Sequence, residues 1–171
     1  MKNLLERVVD IFPVETLSEN VETSARNNSS VITLLNIEGR RILLTGDAGI
    51  PALSNAADYY ESLIGSFYEN PLSLFQAPHH GSRRNLGPEI LDRILGPKNY
   101  GHSTIPSIIS SAKAAPKHPS PKVINALGRR GCKVSATEGN TVSYGYKAPS
   151  RAGWVPLTPY PPLEEGQDED E

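Results

Sequence analysis

Ser30-Val-Ile-Thr-Leu-Leu-Asn36, Ile37-Glu-Gly-Arg40 and Arg41-Ile-Leu-Leu-Thr45, running straight into Gly46-Asp47-Ala48-Gly49, form the stretch that decides the fold. Two β-rich runs around a glycine-bearing turn predict a hairpin. The second run is apolar enough to be buried, and it delivers an aspartate from its C-terminal end between two glycines. Working outward, Pro51 to Phe67 reads as a helix with proline in its first turn. Leu72 to Gln76 reads as a short strand that ends in Ala77-Pro-His-His-Gly-Ser82. Gly87 to Leu95 is helical, with Ile90, Leu91, Ile94 and Leu95 on one face. Ile105 to Ile109 suits a buried strand. Pro119 to Arg130 suits a helix closed by Gly131 in the left-handed position. Lys133 to Ala136 and Thr141 to Tyr146 predict a last hairpin around Glu138-Gly-Asn140. The alternation of sheet and helix makes the chain α/β.

The flanks differ in character. Lys2 to Phe12 carries Leu4, Leu5, Val8, Val9 and Phe12 at helical spacing, and Pro13 to Ser29 is polar and irregular. After Ala148 the chain is proline-rich, then acidic, and is expected to be loosely packed or disordered. The organisation expected is a lead-in over 1–24, a folded unit over 25–147 and a tail over 148–171.

A length of 171 residues is ample for one core, and 15 Pro with 14 Gly favour a turn-rich mixed fold over a helical bundle. No apolar run approaches the roughly 20 residues that cross a bilayer. The single cysteine, Cys132, excludes an internal disulfide and a cysteine-based zinc knuckle, and it suits a small core position in a reducing, cytoplasmic setting.

The net charge of −2 hides a split, because six of the 19 acids fall in the last eight residues and leave a body near +4. Between His79 and Lys133 there are ten Lys and Arg against only Glu89 and Asp92. Such a local excess favours an anionic partner, phosphate or nucleic acid.

Three places can carry chemistry. Asp47, on a rigid strand end, can bind or bridge a cation, although Gly-Asp-Ala-Gly is also a turn sequence. His79 and His80 leave a buried strand ahead of a glycine, and imidazole is both a metal ligand and a proton carrier. On an extended segment the two rings would point apart, one to a metal and one to substrate or a supporting group. His118, before Pro119 at an expected helix start, would sit near free amide donors. His102 reads as a loop histidine.

Together, Asn27-Asn-Ser-Ser-Val-Ile-Thr-Leu-Leu35, Ile42-Leu-Leu-Thr-Gly-Asp47, Ala77-Pro-His-His-Gly-Ser82 and His118-Pro119 resemble the metallo-β-lactamase-fold hydrolase domain of the DNA-internalisation competence proteins and their soluble relatives. The resemblance spans residues 25 to 145. It implies an α/β half of an αββα sandwich, a mixed sheet with helices on one face. It implies that Asp47 bridges two zinc ions, that His79 or His80 completes the site, and that His118 lies at its rim. Ser82, Arg83 and Arg84 would then contact substrate.

There are two departures. The family's histidine before proline usually follows Tyr-Gly, whereas here it follows Ala115-Pro-Lys117. The family's His-x-His-x-Asp-His loop has no counterpart, since all four histidines lie at or after position 79. A dinuclear zinc site needs about four ligands per ion, so the expectation is a metallo-hydrolase half that binds metal weakly and is incomplete as a catalyst. Its substrate would be a phosphodiester or another anion. A separate chain would supply the missing half, or a homodimer would cover the exposed sheet face. The alternatives are a non-catalytic nucleic-acid-binding module and a truncated reading frame.

Overall fold

A computed structural model of the chain describes residues 14–98, 104–113, 115 and 117–166. The helix expected over Lys2 to Phe12, and His102, lie outside the described residues.

The hairpin forms as the sequence predicts. β1 (Thr33–Ile37) pairs antiparallel with β2 (Arg40–Leu44), and Ile37 faces Arg40 across the turn. Glu38 at φ 50° and Gly39 at φ 75° put both central residues on the left-handed side, the backbone of the turn that matches strand twist. From β2 to β5 a crossover helix joins each strand to the next. The order is α2 (Ile50–Ile64), β3 (Leu74–Ala77), α3 (Pro88–Leu95), β4 (Pro106–Ile109), α4 (Pro121–Arg129) and β5 (Lys133–Ala136). A short helix, α1 (Ala25–Asn28), precedes the sheet in a segment whose sequence reads as irregular. It is capped by Ser24, whose hydroxyl accepts from the Asn27 amide at 3.2 Å.

The sheet order is β1-β2-β3-β4-β5, with β2 to β5 parallel. Right-handed crossovers that always step in one direction leave their helices on one side of the sheet. The burial follows that rule. Leu34, Leu43, Phe75, Ser107 and Val134 form one row by register, and its inner members are buried, Phe75 completely. The opposite row runs Leu35, Ile42, Leu74, and Leu35 is 40% exposed while Ile37 beyond it is 62% exposed. Among the described residues, no helix is long and apolar enough to cross a membrane.

Three expectations need correction. Thr141 to Tyr146 forms no strand. The edge carbonyl of Val134 is taken by the Tyr160 amide at 2.8 Å, and Tyr146 lies under the Arg40 guanidinium, 3.6 Å from its ring centre. The segment therefore crosses the open face instead of extending β5. The tail, expected to be loose or disordered, docks from Tyr160 to Glu165. Asn125 of α4 holds Leu163 from both sides, accepting from its amide at 2.9 Å and donating to its carbonyl at 2.8 Å. The basic excess is also smaller than the sequence suggests. Arg129 and Arg130 are fully buried and paired with Glu15, Glu165 and Asp92, while Arg93 is held by Asp58 and Glu61.

Candidate metal and anion site

Because β2, β3 and β4 run parallel, their C-terminal ends open on one edge of the sheet, where α/β proteins assemble their sites. Three loops meet there. The first leaves β2 at Thr45, which is fully buried and donates its hydroxyl to the Gln76 carbonyl at 2.8 Å. Gly46 turns at φ 55°, and a side chain there would press on Ser30, whose hydroxyl accepts from the Asp47 amide at 3.2 Å. Asn85, 2% exposed, donates to the carbonyls of Asp47 at 2.8 Å and Ala48 at 3.2 Å. The backbone carrying Asp47 is thus held from two sides, leaving its carboxylate half exposed.

The second loop follows β3. The His79 amide donates to the Gly46 carbonyl at 2.9 Å, which ties it to the first loop. His79, His80 and Gly81 have φ values of 45°, 56° and 79°, three successive left-handed residues. A non-glycine residue in that region is uncommon, histidine less so than most, and such backbone concentrates at functional sites. The segment is a tight turn rather than the extended run expected, so the rings part for a different reason. His79 Nδ1 lies 4.0 Å from Asp47 Oδ1 and accepts from the Asn27 side-chain amide at 2.8 Å. His80 Nδ1 lies 2.5 Å from the Ser110 carbonyl, and since a carbonyl only accepts, that nitrogen carries a proton.

His118 enters on the third loop. Its placement differs from the expected helix start, because α4 begins later, at Pro121 after the cap residue Ser120. Gly81 sets the position instead. Its carbonyl accepts from the Ser120 amide at 3.0 Å, and any side chain on Gly81 would meet Pro119 and Ile109. The His118 and His79 rings stand edge to face with centres 6.1 Å apart. Around them is a cavity of about 240 Å³ lined by Asn27, His79, Ser82, Arg84, Asn85 and His118 among others.

Asp47 and His79 are separated by nearly the distance two ligands span on one tetrahedral ion, about 3.4 Å for bonds of about 2.1 Å. The Asn27 amide holds the same Nδ1 that faces Asp47, so an ion bound there would take that nitrogen from Asn27. The pair does not make a complete centre. Among the described residues no group of three or more His, Cys, Asp or Glu is placed to hold an ion. These residues therefore do not fit the two-zinc site that the resemblance implies, and no step is derived through a metal. Asn27 and Asn85 are the contributors that sequence reasoning missed. Asn27 had one signal, its place in the Asn-Asn-Ser-Ser run; a buried asparagine such as Asn85 has none.

The chain is similar to ComE operon protein 3 of Bacillus subtilis (strain 168). The two are 29% identical over 163 residues, 91% of this chain and 19% of ComE operon protein 3. The chain therefore spans about a fifth of that relative's length. No family model and no solved structure matches the chain.

Proposed function

We propose that this chain carries the aspartate–histidine half of a metallo-β-lactamase-type hydrolase site of the competence-protein kind, acting on a phosphodiester or related anion. The observation that carries it is the 4.0 Å approach of His79 to Asp47 from the ends of two neighbouring parallel strands. The similarity to ComE operon protein 3 and the Asp-Ala, His-His-Gly-Ser and His-Pro order support the same reading. In it, Asp47 and His79 are zinc ligands, His80 is anchored to the Ser110 carbonyl, and His118, Ser82, Arg83 and Arg84 face substrate. The remaining ligands come from a His-x-His-x-Asp-His segment outside this sequence, and the site works in the cytoplasm.

Zinc titration of the purified chain tests the ligand assignment. Weak binding is expected, lost in Asp47→Ala and in His79→Ala and retained in His80→Ala. Hydrolysis of a chromogenic phosphodiester is expected only when a chain bearing the histidine-rich segment is added. Zinc affinity unchanged by both Asp47→Ala and His79→Ala would refute the proposal.

A further inference from the structure

We infer that the cavity at the opposite edge of the sheet, where β2, β3 and β4 begin, binds a small aromatic molecule that carries one oxyanion. It shares no lining residue with the cavity at His79 and does not rest on the function proposed above.

The cavity measures about 770 Å³, against about 240 Å³ beside His79. Sites for small organic molecules occupy roughly 300–1,000 Å³. Parallel strands begin on one edge and end on the other. The length of β2, about 16 Å at roughly 3.3 Å per residue, therefore separates this cavity from the Asp47 loop. Arg40 and Arg41 are consecutive on β2, so alternation sends their side chains to opposite faces. Both line the cavity, which thus reaches round the start of the strand. Tyr144 joins it from the chain that crosses the open face, and Phe67 and Leu95 from the helical side.

One pole of the cavity is cationic and held in place. Arg41 Nη2 donates to Asn70 Oδ1 at 3.2 Å, and Asn70 Nδ2 donates to the Ile64 carbonyl at 3.2 Å. The second bond fixes which end of the Asn70 side chain meets the guanidinium. Tyr60 secures the same residue by donating its hydroxyl to the Asn70 carbonyl. Arg40 lies over the Tyr146 ring, 3.6 Å from its centre, so the ring covers a face and leaves donors on the guanidinium edge. Among the described residues neither arginine has a carboxylate partner. The acid on this wall, Asp92, is held by Arg130 at 2.7 Å, and Arg93 is held by Asp58 and Glu61. The unneutralised charge is therefore that of Arg40 and Arg41. Arg41 Nε is also shielded from water with no partner among the described residues. A buried donor left unmade is costly, and an oxyanion drawn to this guanidinium relieves that cost.

The other pole is aromatic. Phe67 stacks on Tyr60 with ring centres 4.0 Å apart, which makes it a rigid wall. Tyr68 also lines the cavity and is 94% exposed, so its ring gains burial only against something that enters. An inorganic anion would engage the arginines and leave the rings wet. An uncharged ring would leave the arginines unpaired. A ring joined to a carboxylate or a phosphate uses both poles, because the arginine fork matches either oxyanion.

Calorimetric titration of the full chain in EDTA tests the assignment, with adenosine 5′-monophosphate and indole-3-acetate as ring-bearing anions. Adenosine and inorganic phosphate supply the ring and the anion alone. At least one ring-bearing anion is expected to bind, and adenosine and phosphate to bind at least about tenfold more weakly. Tighter binding of the nucleotide assigns a phosphate ligand, and tighter binding of the indole a carboxylate. Arg41→Ala and Tyr68→Ala are each expected to weaken binding by about tenfold. Tyr68 is too exposed for its loss to unfold the chain, which keeps the test valid if Arg41→Ala is unstable. His79→Ala is expected to bind as the parent does. Binding lost in His79→Ala but kept in Arg41→Ala and Tyr68→Ala would move the ligand to the histidine cavity and overturn the assignment. So would phosphate matching the ring-bearing anions, or no saturable binding of either of them at millimolar concentration.

Discussion

The two faces of this sheet are made by the same strands and differ in what covers them. On one face the row through Leu43, Phe75 and Val134 lies under α2, α3 and α4, with all three 5% exposed or less. On the other, Leu74 is buried, Ile42, Leu44 and Ile108 are half-buried, and Leu35 and Ile37 are exposed. What covers that face is the chain after β5. Tyr144 and Leu157 cross near Ile108 and Ser135 and leave a gap of about 140 Å³ beneath them. The helical face is closed further by charge. Arg129 and Arg130 tie Glu15 near one end of the described chain and Glu165 near the other to α4. A strand's alternation decides which side chains share a face, but the crossover path decides which face becomes the core.

The largest expected effect comes from the covered face. Phe75→Ala removes a fully buried ring and should cost about 3–5 kcal/mol in urea unfolding. Leu35→Ala, its counterpart on the open face, should cost under about 1 kcal/mol. Equal costs would show that the open face is covered in solution, by a second copy or by tighter docking of the tail. Concentration-dependent sedimentation then tells the two apart, since Ile37→Lys disrupts only the dimer.

A smaller effect belongs to the charged closure of the helical side. Burial raises the Glu15 carboxyl, but the Arg130 hydrogen bond, the charges of Arg130 and Arg129 and the Leu17 amide outweigh it, so the group lies below its ordinary value of 4.5. A carboxyl lowered by folding stabilises the fold above about pH 4.5, and that contribution is lost as pH falls through the lower folded value. Glu15→Gln should cost about 1–3 kcal/mol at neutral pH and flatten this part of the acid limb. A parallel acid limb in Glu15→Gln and parent would place the acid sensitivity elsewhere.

Much of this arrangement is legible in the sequence, for identifiable reasons. The hairpin at Glu38-Gly39, the prolines that open α2 and α3, and Gly131 at φ 75° after α4 are local signals with one physical meaning each. Asp47 and His79 converge as their strand-end positions suggest, while His118 joins them from a loop and not from the expected helix start. What the sequence hides is tertiary. Asn27 meets His79 across 52 residues, and Arg129 reaches Glu15 across 114, so no window of neighbours could reveal either. The basic excess misleads for the same reason, because a count of charges does not say which are buried in pairs. Thr141 to Tyr146 alternates like a strand, yet the edge it needs is capped by Tyr160.

The smallest effect probes the far end of the covered face. Cys132 is 8% exposed, its amide donates to the Leu127 carbonyl at 3.1 Å, and burial pushes its thiol up to about 12, with the Arg130 charge opposing weakly. An acid whose folded value is raised from 9.0 keeps its proton where the unfolded chain loses it, so stability should fall as pH rises from about 9 toward 12. At neutral pH the thiolate, the reactive form, is scarce and shielded. Labelling by a thiol reagent should therefore proceed only as fast as the region around α4 and β5 opens, and it should accelerate in Phe75→Ala by about the factor that the equilibrium stability falls. Fast labelling of the parent, unchanged in Phe75→Ala, would mean that the sheet edge at β5 opens on its own. The contrast between the faces would then end at β4.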